Sequence, residues 1–272
     1  MSRRIGAVLW SLVAIYAAAR VTQAFPNYIS VAGIMALHVI PAFAFALVHG
    51  RMVYGWRGIL TFTGLCLGVG FVFENVGVIT GVPYGRYHFT NVMGPMLWHV
   101  PVLLGMAYVG MGYVSWILGR VIAGPRLVGL PLAAAFIMVA WDFSMDPVWA
   151  NLVHGWVWER GGSYFGVPLS NFAGWYATVF VIYELFALYL RRAQGESLPG
   201  GTWRSAVVFY AVSAGGNVFV IPAASNQSFV TDASGTPWSV HAMLGTAMLV
   251  SLFVMGAFAL LAWLRIPEVS TR

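Results

Sequence analysis

Eight apolar runs, each close to the length of one bilayer crossing, dominate this sequence: residues 5–24, 29–49, 58–80, 95–119, 127–150, 172–190, 205–224 and 241–264. A spanning helix needs about 20 predominantly apolar residues. The expected fold is therefore all-α, a polytopic membrane bundle of about eight transmembrane helices forming one domain over residues 1–272. Charge supports this. Only 8% of the residues are charged, whereas a soluble domain carries about 25%. A chain so poor in charge cannot cover itself in water, so its main solvent is lipid. The first run follows Arg3 and Arg4 and ends Thr22-Gln23-Ala24, which has the outline of a signal peptide. We read it as a retained helix.

The arginines orient the bundle. All fourteen basic residues are Arg. With the N-terminus in the cytoplasm, eleven fall on the inner side and three on the outer side: Arg20, Arg86 and Arg160. Lys and Arg collect in cytoplasmic loops, so both termini are expected inside, in the cell membrane. The net charge of +6 is spread between the apolar runs without a cluster, so nucleic acid is not an expected partner. The single cysteine, Cys66, lies in an apolar run and reads as a core residue. The inner loops are short. The outer stretches 82–94, 151–171 and 225–240 are long and rich in Gly, Pro, Asn and aromatic residues. Two of these stretches, 81–87 and 164–171, look alike and hint at an internal repeat.

There are eight acidic residues. Glu196, Asp232 and Glu268 read as solvated, and Glu159 beside Arg160 as structural. Glu74, Asp142, Asp146 and Glu184 lie inside apolar runs, where ionisable groups are costly and mark functional sites. Asp142 and Asp146 are four apart and share a helix face. Pro147 follows, so the helix is expected to kink or end there. Glu74, followed by Asn75, falls near the outer end of the third run, at the same depth. Neighbouring carboxylates in a low dielectric cannot all ionise together, and a carboxylic acid held neutral in an apolar site is a ready general acid. Glu184 lies deeper, toward Arg191 and Arg192, and reads as structural. The bland alternative makes the acids a buried network with Asn75, Arg86, Tyr87 or Asn171. Trp and Tyr crowd the same outer zone, among them Tyr84, Tyr87, Trp98, Trp141, Trp149, Trp156, Trp158, Tyr164, Trp175 and Tyr176. Some anchor the interface. The rest would give an electron-rich cavity that stabilises cations. The six histidines are scattered without metal-ligand spacing, so no metal is expected. No dinucleotide or nucleotide motif is present, so no such cofactor is expected.

Three segments resemble a known family: residues 74–87 from Glu74-Asn75 through Gly85-Arg86-Tyr87, residues 141–147 from Trp141-Asp142 to Asp146-Pro147, and residues 164–175 from Tyr164-Phe165 through Asn171 to Trp175. Together they resemble the integral-membrane carotenoid hydratases of bacterial γ-carotene and lycopene pathways and of archaeal bacterioruberin synthesis. The likeness covers roughly residues 30–265. It implies addition of water across the terminal double bond of an acyclic carotenoid end, giving a tertiary alcohol without a cofactor. The implied partners are a hydrophobic carotenoid, water, the lipid bilayer and other membrane enzymes of a carotenoid pathway. The implied catalytic residues are Asp142, Asp146 and Glu74. Asn75, Tyr87 and Asn171 would orient water, and Trp141, Tyr164 and Trp175 would contact substrate. Asp142-x-x-x-Asp146 also matches half the aspartate signature of membrane prenyltransferases, but no second copy exists and the acids face outward. A terpene or carotenoid cyclase would use the same initial chemistry. A proton-coupled transporter or lipid-binding scaffold is the non-enzyme alternative.

Overall fold

A helix of fifty residues, α2 (Val31–Thr80), sets the architecture. Straight, it would be about 75 Å long, more than twice the hydrocarbon core of about 30 Å. It is not straight. Gly55 adopts φ 67° and ψ 177°, outside the helical region, which a residue without Cβ does cheaply. The chain folds back there. A Cβ on Gly50 would lie 2.3 Å from the Ile59 side chain, a contact impossible along one straight helix. His49 before the break and Phe62 after it both touch the ring of Tyr113. The expected runs 29–49 and 58–80 are thus two limbs of one helical hairpin with almost no loop between them.

The computed structural model describes residues 3–25, 28–192, 200–220 and 228–270. Besides α2 it contains α1 (Arg3–Val21), α3 (Val102–Ala123), α4 (Gly129–Val148), α5 (Leu169–Arg192), α6 (Gly200–Gly216), α7 (Val240–Val250) and α8 (Gly256–Ser270). A π-helical turn, Ser251–Met255, joins α7 to α8. Among the described residues six helical stretches are long and apolar enough to cross a membrane. The chain is an all-α polytopic membrane bundle. Among the described residues, three short two-stranded ribbons lie in its loops. Glu196, Arg272 and the last residues of the seventh apolar run lie outside the described residues.

Helix α3 is the axis. It packs on both α2 and α4, and every residue from Ala107 to Gly119 is buried, as expected of a helix apolar on all sides. The outer helices turn large apolar side chains outward, including Leu60, Val72, Phe136, Phe253 and Leu264. In water such a surface would be a liability. In lipid it is the solvent-facing side.

Two helix ends depart from expectation. The run 95–119 becomes helical only at Val102, because β2 (Met96–Leu97) pairs with β3 (Val100–Pro101) in a tight ribbon. Pro101, in the extended region, then supplies the N-cap position. Pro147 neither ends nor sharply breaks α4. The helix runs to Val148 and widens into a π turn, Trp149–Val153. The missing N–H of Pro147 would have bonded to the carbonyl of Phe143, four residues back. The Tyr164 hydroxyl donates to that carbonyl instead, at 3.1 Å.

Candidate functional site

α2 ends at Gly81, whose φ of 82° and N–H bond to the Gly77 carbonyl close the helix. The chain then turns through Tyr84 into β1 (Tyr87–Phe89), which pairs antiparallel with β4 (Trp156–Trp158). The register sets Tyr87 opposite Trp158. Side chains on one face of a ribbon alternate with those on the other, so Tyr87, Phe89, Trp156 and Trp158 turn together toward the bundle. Their rings touch: Tyr87 lies 4.9 Å from Trp158, and Phe89 6.3 Å from Trp156. The two similar loop stretches meet here as well. The Ser170 hydroxyl donates to the Tyr84 carbonyl, and a Cβ on Gly85 would press on Pro168.

Beneath this aromatic ribbon lie the three acids, all fully buried. Glu74 accepts from two phenols, Tyr87 at 2.5 Å and Tyr108 at 2.6 Å. Burial, then the adjacent Glu74 carboxylate, holds the Tyr87 hydroxyl well above the usual phenol range, so it acts as a proton-bearing donor. Asp146 accepts from Trp156 at 2.7 Å, from Trp158 at 3.5 Å and from the Asn171 amide at 2.5 Å. The same amide reaches Asp142 at 3.2 Å. Asp142 receives no other hydrogen bond among the described residues. Asn171 thus bridges the two aspartates, one turn apart on α4. Asp146 is held by two close donors and a third at 3.5 Å, and Asp142 by a single donor at 3.2 Å.

The three acids share one cavity of about 1110 Å³, counted to its open mouth. Tyr87, Trp141, Asn171 and Trp175 also line it. The Trp175 ring stacks on Tyr108 at 4.6 Å, with planes 6° apart. Two expected residues stand elsewhere. Asn75 is buried beside the cavity, donating to the Phe71 carbonyl and accepting from the His99 N–H. Tyr164 packs on Phe143 and Phe172 and caps the carbonyl freed by Pro147. Burial and the two aspartates push its phenol up to about 12.

Tyr108, Trp156 and Trp158 hold the acids; the sequence places the two tryptophans only in the aromatic outer zone and gives Tyr108 no role. Tyr108 is one of three hydroxyl-bearing residues in the run 95–119, with Tyr113 and Ser115, so composition does not single it out. The remaining acids follow simpler rules. Glu159 meets His88 at 3.4 Å on the surface. Asp232 organises a turn, described below. Glu184 has one buried carboxylate oxygen with no partner among the described residues. Among the described residues no three His, Cys, Asp or Glu side chains are placed to hold a metal ion.

Comparison with known proteins identifies the family. A protein named bisanhydrobacterioruberin hydratase from Haloarcula japonica is 33% identical over 125 residues, 44% of this chain. The match covers 42% of that protein, less than half its length. No solved structure matches the chain. The sequence profile described as carotenoid biosynthesis protein matches residues 27–231, which include Glu74, Asp142, Asp146 and Asn171, and the chain therefore belongs to the carotenoid biosynthesis protein family.

Proposed function

We propose that this chain is a carotenoid hydratase of the cell membrane, adding water across the terminal double bond of an acyclic carotenoid end without a cofactor. The observation that carries the reading is the unequal treatment of two bridged aspartates. Three donors converge on Asp146, an arrangement suited to a carboxylate that accepts. Asp142 has a single donor, which leaves it able to carry a proton and release it to the less substituted alkene carbon. The tertiary cation that results would lie against the faces of Tyr87, Trp141 and Trp175, which line the same cavity. Aromatic faces stabilise cations by about 0.5–2 kcal/mol. Water then attacks the cation and passes its proton to Asp146. Asp146 then holds a proton and Asp142 lacks one, and proton exchange through the water that enters the cavity restores the starting state, so one alkene and one water give one alcohol. Glu74, held by two phenols, fixes Tyr87 against the cation site.

Family membership and the hydratase name of the Haloarcula japonica protein support water addition as the quench, over cyclisation. The cavity can hold one end of a long polyene, with the rest of the chain in lipid or against a neighbouring pathway enzyme. The test is expression in cells that make an acyclic carotenoid, with pigment extraction and mass spectrometry. The expected product is the carotenoid plus one or two waters, formed by purified protein with neither a nucleotide cofactor nor added metal. An isomer of unchanged mass would point to a cyclase and overturn the reading.

A further inference from the structure

The cavity does not stop at the acids. Residues of α1, the first limb of α2 and α7 line its Arg20 lobe, with Asn217 just after α6. Apolar Met35, Val39, Ala42, Leu244 and Ala247 line it there beside the polar Tyr16, Gln23, His38 and Asn217. Arg20 lines the same part of the cavity and is only 7% exposed. A buried arginine in a membrane bundle is expensive unless a partner meets it. No carboxylate forms an ion pair with Arg20 among the described residues. Its Nη2 donates to the Ser213 carbonyl at 3.2 Å and to the Asn217 side-chain oxygen. The guanidinium has five donors. Nε is buried without a partner, and Nη1 receives no acceptor among the described residues.

The surroundings fix this group in place. A Cβ at Gly216 would fall 2.0 Å from Nε, so only glycine lets the guanidinium lie against α6. Gln23 bonds the carbonyls of Arg20 and Gly216 through its amide, both at 3.0 Å. The Asn217 amide donates to Ser144 at 3.1 Å and Ser251 at 2.6 Å. Ser144 sits on α4 between the two aspartates in sequence, so the arginine cluster and the acid site share a wall.

We propose that this lobe is an oxygen-binding subsite: Arg20, positioned by Asn217 and Gln23, receives a hydroxyl, carbonyl or carboxylate oxygen carried on an apolar chain. The subsite rests on the reading that the cavity admits a long apolar substrate, and it adds that the preferred substrate carries an oxygen besides the reacting alkene. Cavity tryptophans supply the readout, because a bound polyene quenches their fluorescence. The full chain in lipid nanodiscs would be titrated with an acyclic polyene hydrocarbon and with the same polyene bearing a hydroxyl. A hydrogen bond to a charged group is worth enough for about tenfold tighter binding of the oxygenated chain. Arg20→Met should bind both chains alike, and Arg20→Lys should keep part of the margin. Equal affinities in the unmodified protein, or a margin that survives Arg20→Met, would overturn the proposal. If Arg20→Met does not fold, the margin in the unmodified protein decides alone. A long-chain fatty acid forms the last arm: if it binds through Arg20 while the polyenes show no margin, the site belongs to a lipid and the polyene assignment is wrong. Failure of hydration is separately visible, as polyene binding without a product that gains water.

Discussion

Asp142 and Asp146 are chemically identical, and what separates them is the donors that surround them. Replacing Asp142 by Asn removes the proposed proton but disturbs only a single donor contact, so folding should persist while product formation falls at least about 100-fold. Asp146→Asn turns an amide N–H₂ toward either the indole donors or the Asn171 amide. One donor is then left buried against another, at about 1–3 kcal/mol. That variant should lose both activity and thermal stability. Paired melting curves and pigment analysis separate the two, and equal stability losses would undo the division of roles. Tyr164 offers a contrast. Its hydroxyl serves the carbonyl that Pro147 leaves open, so Tyr164→Phe should cost about 1–3 kcal/mol in stability and leave the product unchanged. A changed product would return Tyr164 to the substrate contacts expected from sequence. The acids themselves were legible because a charged residue in an apolar run has few reasons to be there. The residues that hold them were not. Trp156 and Trp158 reach Asp146 only through a strand register, and Arg20 was counted as a topology signal although its side chain turns into the cavity.

At the scale of elements, the ribbon of β1 and β4 works only if Tyr84 fits between α2 and α5. Two glycines make that room. A Cβ on Gly77 would fall 2.5 Å from the Tyr84 ring, and one on Gly174 would fall 2.6 Å from its other edge. Tyr84 is buried and bonded to Thr178 at 2.7 Å, so it has nowhere to go. Gly174→Ala should therefore destabilise by about 1–3 kcal/mol through overpacking, and should loosen the ribbon over the acids as well, readable as lost product. The ribbon of β5 (Phe229–Thr231) and β6 (Pro237–Ser239) is held differently. Asp232 accepts from the backbone of Ser234 and Thr236 and from the Trp238 indole. Slight burial opposes ionisation, but these hydrogen bonds outweigh it and hold the carboxyl below its usual range. A depressed value means that the stabilisation is present above the ordinary Asp range of about 3.9 and disappears as pH falls through the folded value. Trp238 fluorescence should stay constant from neutral pH down to that range and change below it, and Asp232→Asn should abolish the change. These ribbons were not legible from apolar runs, since their order comes from pairing between distant loops. The helices were legible, because lipid demands long apolar segments and leaves few alternatives. Even so, the run 95–119 overstated its helix, since apolar composition cannot distinguish Met96–Leu97 in a ribbon from a first helical turn.

For the whole molecule, the hairpin at Gly55 reports which side of the membrane the acid site faces. If both limbs of α2 cross the bilayer, the Gly55 turn lies on the side opposite Gly81 and the ribbon of β1 and β4. The turn carries Arg51 and Arg57, with Arg51 stacked 4.8 Å over the Trp56 ring, and Trp56 is half exposed. Positive residues favour the cytoplasm, which would place the acid site and its open mouth outside. Cys66 is buried, so a single introduced cysteine can report position. We expect Trp56→Cys to react with an impermeant maleimide only after the cells are opened, and His88→Cys, on the exposed edge of β1, to react in intact cells. The reverse pattern would invert the bundle and put the acids on the cytoplasmic side. Labelling of both positions from the same side would mean that α2 enters and leaves without two full crossings, and the count of eight would fall with it. The orientation bears on the chemistry. Water for an outward-facing acid site comes from beyond the membrane, while the carotenoid arrives from within it, so the two reactants would reach the aspartates from different directions.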